Sequence, residues 1–66
     1  ALQAVTYFID DAIQVGANQV RILHGTGTGI LRQLIREYLA SVPGVRRFHD
    51  EHVQFGGAGI TVVELA

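Results

Sequence analysis

The stretch Gln19-Val20-Arg21-Ile22-Leu23-His24-Gly25-Thr26-Gly27-Thr28-Gly29-Ile30-Leu31-Arg32-Gln33-Leu34-Ile35 decides how this chain folds. Residues 19–24 form a short run rich in branched side chains that ends in glycine, as a β-strand entering a turn does. Beyond the turn, Ile30, Leu31, Leu34, Ile35, Tyr38 and Leu39 recur on one stripe, with Arg32, Gln33, Arg36 and Glu37 opposite. That period predicts an amphipathic helix over residues 29–41.

Upstream, Leu2, Val5, Phe8, Ile9, Ala12 and Ile13 stand at helical spacing over residues 2–15. Gly16 follows them, where a left-handed cap is cheap for glycine. Downstream, Pro43-Gly44 breaks the second helix and residues 45–49 predict a strand. Residues 60–65, ITVVEL, are the strongest strand by branched content. The expected order is therefore α-β-α-β-β. A strand, a crossover helix and a strand imply a right-handed parallel unit, with the last strand returning antiparallel after the connection from Asp50 to Gly59. The fold class is α/β: a two-layer sandwich of a mixed sheet and two helices. The chain opens in a helix without an initiator methionine, so an N-terminal strand is expected to be missing and the chain to be a fragment of a larger protein.

At 66 residues this is one domain, residues 1–66, with no internal repeat. A domain of this size buries only about 60% of the surface its unfolded chain exposes. With 48% hydrophobic and 17% charged residues, the chain is too apolar to be disordered. It has no cysteine, which removes disulfides and thiolate metal sites and leaves a cytoplasmic location as the default. No apolar run approaches the roughly 18 to 20 residues of a membrane helix, so no membrane partner is expected. A net charge of -1 argues against broad electrostatic binding of nucleic acid, so any such contact must be local. The five cations are all arginines, whose planar fork suits phosphate.

The local chemistry centres on Gly25, Thr26, Gly27, Thr28 and Gly29. Glycines at alternate positions between a strand and a helix let backbone amides converge beside the helix's positive end, an anion site to which the threonine hydroxyls can add donors. A nucleic-acid phosphate fits it; the plain alternative is a glycine-rich connection with no ligand. A Walker loop would need Lys then Ser or Thr after the last glycine, and Ile30-Leu31 stands there instead. A dinucleotide site needs G-x-G-x-x-G, whereas this turn reads G-x-G-x-G. His24, at the strand end, can handle a proton or donate to a phosphate oxygen, or simply cap the turn. Arg32 lies one turn into the helix and can extend the anion site, while Arg36 reads as the partner of a carboxylate. His49-Asp50-Glu51-His52 collects ligand types, but four adjacent residues leaving a strand diverge, so no metal site is assigned there. Residues 54–59 read as a polar loop tip able to close over a ligand.

HGTGTG followed by Ile-Leu-Arg, with GGAGITVVEL near the end, resembles the Smr (small MutS-related) domain found at the C-terminus of the second bacterial MutS-type family. The likeness covers essentially the whole chain. It implies a fold like the C-terminal domain of translation initiation factor 3 and endonuclease activity on DNA or RNA. It assigns His24, Gly25, Gly27 and Gly29 to one motif and Gly57, Gly59 and Thr61 to the other. The Asp-Leu-His-Gly or Asp-Leu-Arg-Gly strand that usually opens the family is not matched here.

Phosphodiester cleavage is the leading functional reading, with His24 as catalytic residue. Gly25, Thr26, Gly27, Thr28, Gly29, Arg32, Gly57, Gly59 and Thr61 are the phosphate-binding set. The resemblance makes the rest of a MutS-type ATPase chain a partner, in DNA repair, recombination or ribosome rescue. A divalent metal cofactor stays open. The alternatives are a noncatalytic module docking a larger protein onto branched DNA or a ribosome, and a plain protein-interaction domain.

Overall fold

The computed structural model describes residues 2–66. It contains helix α1 (Leu2–Gln14), strand β1 (Gln19–Leu23), helix α2 (Ile30–Ala40), strand β2 (Val45–Asp50) and strand β3 (Ile60–Leu65). Two short 3-10 turns, Val53–Phe55 and Gly57–Gly59, lead into β3. The predicted order α-β-α-β-β is the observed one. Gly16 adopts φ 75°, its amide bonds to the Ile13 carbonyl, and the Ala17 amide reaches back to that of Ala12. This is a Schellman cap, which satisfies carbonyls that the helix end leaves free.

The strand order is β1-β3-β2, with β3 antiparallel to both neighbours. β1 and β2 run in the same direction, as a parallel unit requires, but β3 lies between them, so every pairing among the described residues is antiparallel and the expected mixed sheet is corrected to an antiparallel one. The physical reason is burial. Thr61, Val62, Val63 and Leu65 are all buried, so β3 takes the central position where both edges are bonded. The edge strands carry Arg21, Arg46 and Arg47, charges that suit an edge. A register shift between Val45 and Arg47 places a bulge at Arg46.

Alternation along β3 gives the sheet two different faces. Val63 and Leu65 join Ile9, Ala12, Ile22, Ile35 and Leu39 in the core beneath the helices, with Val20, Val45 and Phe48 packed against it. The register sets Ile22 and Asp50 on either side of Thr61, on that same face. The opposite face carries Val62, flanked in register by Arg21 and His49. Val62 is nevertheless buried. An Arg21–Glu51 ion pair, and Glu64 bound by Arg47 (2.9 Å) and His49 (3.1 Å), lie on this face, where apolar stems can cover what charged heads do not.

The helical stripes read from the sequence are wider than those the sheet covers. On α2 only Ile35 and Leu39 are buried, while Ile30, Leu31 and Leu34 stay exposed. On α1, Ile9 and Ala12 are buried and Phe8 is exposed. A three-stranded sheet is narrow, and the first turn of α2 begins at the glycine turn rather than over the core. Among the described residues, no helix is long and apolar enough to cross a membrane.

This distinction is measurable by urea unfolding. Ile35→Ala, at a position 1% exposed, is expected to lower stability by about 2–5 kcal/mol. Ile30→Ala, at a position 63% exposed, should change it by no more than about 0.5 kcal/mol.

Candidate phosphate-binding site at the glycine turn

β1 ends at Leu23 and α2 begins at Ile30, so residues 24–29 are the whole connection. Gly25 and Gly29 have φ of 77° and 82°, backbone conformations that favour glycine. Gly27 does not, and a side chain built on it would meet nothing within 4 Å. Positive φ therefore explains the first and last glycines of the motif, while the middle one keeps the turn bare.

Gly29 caps α2 without any side-chain hydrogen bond, and the first bond entering the helix runs from Gln33 N to the Gly29 carbonyl. The amides of the first turn thus have no helical acceptor. Ile30 N makes a 3.4 Å contact with Thr28 Oγ1. Among the described residues, the amides of residues 26–29 have no protein acceptor. No acidic side chain occupies this first turn. Donors and a positive helix end are therefore exposed together on the surface.

The terminal motif is joined to this turn by the backbone. The Gly59 carbonyl accepts from the amides of His24 (3.1 Å) and Gly25 (2.9 Å). A Cβ on Gly59 would come within 3.7 Å of the Gly25 backbone and of Thr26. Gly59 thus lies against the turn, and Thr61 follows two residues later, fully buried. Gly57 is not brought into contact with it. Its amide bonds to the His52 carbonyl (3.1 Å), within the loop.

Side chains from four elements meet around Thr61. His24 places Nε2 2.7 Å from Thr61 Oγ1 and Nδ1 2.8 Å from the Gly25 carbonyl. Arg36 donates to the same hydroxyl from Nε (3.3 Å) and Nη2 (3.1 Å). Its guanidinium also lies 5.6 Å from the centroid of the Phe48 ring. Asp50 Oδ1 accepts from Arg36 Nη2 (2.6 Å) and from Arg32 Nη2 (2.8 Å). The Arg32 hydrogen bond, helped by both guanidinium charges, holds the Asp50 carboxyl below its ordinary value. Two arginines sharing one carboxylate leave a net positive charge beside the turn. Arg32 Nε is shielded from solvent and has no acceptor.

The predicted residues His24, Gly25, Gly29, Arg32, Gly59 and Thr61 therefore fall in one region. Arg36 does pair with a carboxylate, as its sequence position indicates, and in addition holds Thr61. Asp50 was placed by sequence in a diverging polar run. Alternation in β2 was the signal that could have found it, because it sets Asp50 on the same face as Phe48. His49 and Glu51 point the other way, toward Glu64 and Arg21. Among the described residues, no three His, Asp or Glu side chains converge as metal ligands would.

A family model described as Smr domain matches residues 1–66. Endonuclease MutS2 of Caldicellulosiruptor bescii is 48% identical over 65 residues, which are 98% of this chain and 8% of that protein. Endonuclease MutS2 of Helicobacter pylori is 38% identical over the same shares. The chain thus spans 8% of the length of these curated relatives. Among solved structures, the crystal structure of the Smr domain of Thermus thermophilus MutS2 superposes with a TM-score of 0.94 and 43% identity. That match covers 98% of this chain and 81% of the other.

Asp50 carries a pH dependence whose sign follows from its lowered pKa. The folded form holds fewer protons than the unfolded chain near the ordinary carboxyl value, so its stabilising effect is present above that value. It is lost as pH falls through the folded pKa. Asp50→Asn should therefore be less stable than the wild type at neutral pH, and the gap should close as the medium is acidified below about pH 4. Urea midpoints across that range would check it, and a gap that persists in acid would refute it.

Proposed function

Because the chain belongs to the Smr domain family, we propose that it is the nucleic-acid-processing module of a larger MutS-type protein, an endonuclease domain that cleaves phosphodiester bonds of DNA or RNA. One observation carries this reading: Arg32 and Arg36 share a single carboxylate next to a turn, residues 26–29, whose amides lack acceptors. A backbone phosphate supplies the acceptors and the negative charge that this arrangement lacks. The curated relatives bearing the name Endonuclease MutS2 support the cleavage chemistry.

In this proposal the amides of residues 26–29 and the hydroxyls of Thr26 and Thr28 seat phosphate oxygens. Arg32 offsets the charge that develops as the bond breaks. Gly59, just before β3, and Thr61 within it hold the turn in place, and Gly57 belongs to the loop that leads into the strand. His24 handles a proton or orients the phosphate. Both of its ring nitrogens are bound in the resting structure, so proton transfer requires one partner to be exchanged for a substrate atom.

That engagement of His24 also favours a second reading, a noncatalytic module that docks its protein onto branched DNA or a ribosome through the same turn. Incubating the full-length protein with labelled DNA and RNA, with and without chelator, separates the two. Cleavage abolished by His24→Ala at unchanged affinity supports the endonuclease. Binding without cleavage in either nucleic acid leaves the docking module.

Two substitutions test the phosphate seat itself. Arg32→Ala is expected to weaken binding to all sequences alike and to reduce the log–log salt slope by about 1. Gly27→Val should lower affinity with little change in melting temperature, since the position is open and has no positive φ. Unchanged binding in both variants would remove the turn from the site.

A further inference from the structure

We infer that Arg36 and Thr61 are positioning residues that fix the proton of His24 on Nδ1 and keep Nε2 as a proton acceptor. The inference rests on the role given to His24 above and adds the groups that direct it.

The argument is a matter of hydrogen-bond complement. A guanidinium has only donors, and a threonine hydroxyl has one proton and two lone pairs. Arg36 presents both Nε and Nη2 to Thr61 Oγ1, at 3.3 and 3.1 Å, which occupies the oxygen as an acceptor. The hydroxyl proton is left for its remaining neighbour, His24 Nε2, at 2.7 Å. Thr61 is fully buried, so water does not compete for that proton. Nε2 must then accept, which leaves the ring proton on Nδ1. The other end of the ring requires the same tautomer, because the Gly25 carbonyl 2.8 Å from Nδ1 can only accept.

Arg36 is itself directed. Asp50 holds its Nη2 at 2.6 Å, and the Phe48 ring lies within 5.6 Å of the guanidinium carbon. The sequence Asp50, Arg36, Thr61, His24 therefore carries orientation from β2 through α2 and β3 to the turn. The functional consequence is a choice between two roles for the imidazole. When substrate takes the place of the Thr61 hydroxyl, Nε2 meets it with a lone pair, the state of a general base rather than of a donor to phosphate. Nδ1 stays anchored to the turn.

Long-range proton–nitrogen NMR correlation on the nitrogen-labelled chain reads the tautomer directly and needs no nucleic acid. The wild type is expected to give one protonated-type shift at Nδ1 and one acceptor-type shift at Nε2. In Thr61→Val and Arg36→Leu the two shifts should move toward each other as the second tautomer gains population. Thr61→Ser, which restores the hydroxyl, should return the wild-type pattern. A wild-type ring protonated on Nε2 overturns the inference without any variant. So does a pattern that stays unchanged in folded Thr61→Val and Arg36→Leu, since the Gly25 carbonyl would then set the tautomer alone. In cleavage by the full-length protein, Thr61→Val should lower kcat and leave KM in place. Absence of cleavage in the wild type would count against the endonuclease reading while leaving the tautomer result standing.

Discussion

Everything at the turn depends on β3 being bonded along both of its edges. A strand with valine and leucine buried on one face and a buried valine on the other is stable only in the middle of a sheet. Once there, it must enter beside the end of β1, and its first residues must lie against the glycine turn. The Gly59 carbonyl is where that happens: a single acceptor takes two consecutive amides and locks one motif to the other. Two glycine-rich segments far apart in sequence thus become one surface through sheet pairing.

The same placement decides which side chains can meet. Among the described residues Thr61 is the only polar side chain that is fully buried, and it sits where the core ends and the turn begins. A buried hydroxyl left unbonded would destabilise the fold by about 1–3 kcal/mol, so its partners are constrained as firmly as those of any apolar neighbour. Arg36 and His24 satisfy it from two different elements. Asp50 then sits in register with Thr61 on the same face, in reach of both arginines of α2. The sheet's outer face uses charge differently: its ion pairs shield Val62 and are solvent-exposed on the arginine side, where each contributes little energy.

Much of this was legible beforehand. The periodicity of residues 30–39, the Gly16 cap, the Pro43-Gly44 break and the branched run at 60–65 gave each element within a residue or two. The strand order was not legible, because local pattern says that a strand exists and not which edge it takes. Burial of β3 on both faces was the clue, visible in ITVVEL as a run without strict alternation. At the site, glycines and His24 announce themselves by residue type. Asp50 and Arg36 do not, since an acid in a polar run and an arginine on a helix have ordinary explanations until the sheet register brings them together. The width of the α2 stripe was overstated for a related reason: periodicity measures how much surface is apolar, not how much a narrow sheet covers.

The central position of β3 also bears on how the domain is made. Pairs such as Gln19 with Glu64 span most of the chain, so a long loop must close before β1 can join the sheet, and pairings of that kind form slowly. During synthesis β1 and β2 emerge before the strand that pairs with both. Until it arrives, two strand segments with unpaired backbones are open to other nascent chains. Arg21 within the first, and Arg46 and Arg47 within the second, place charge in those segments. Gatekeeper residues of this type discourage intermolecular β-pairing. The arginines of the edge strands would thus protect the unfinished domain before any of them lies beside a folded sheet.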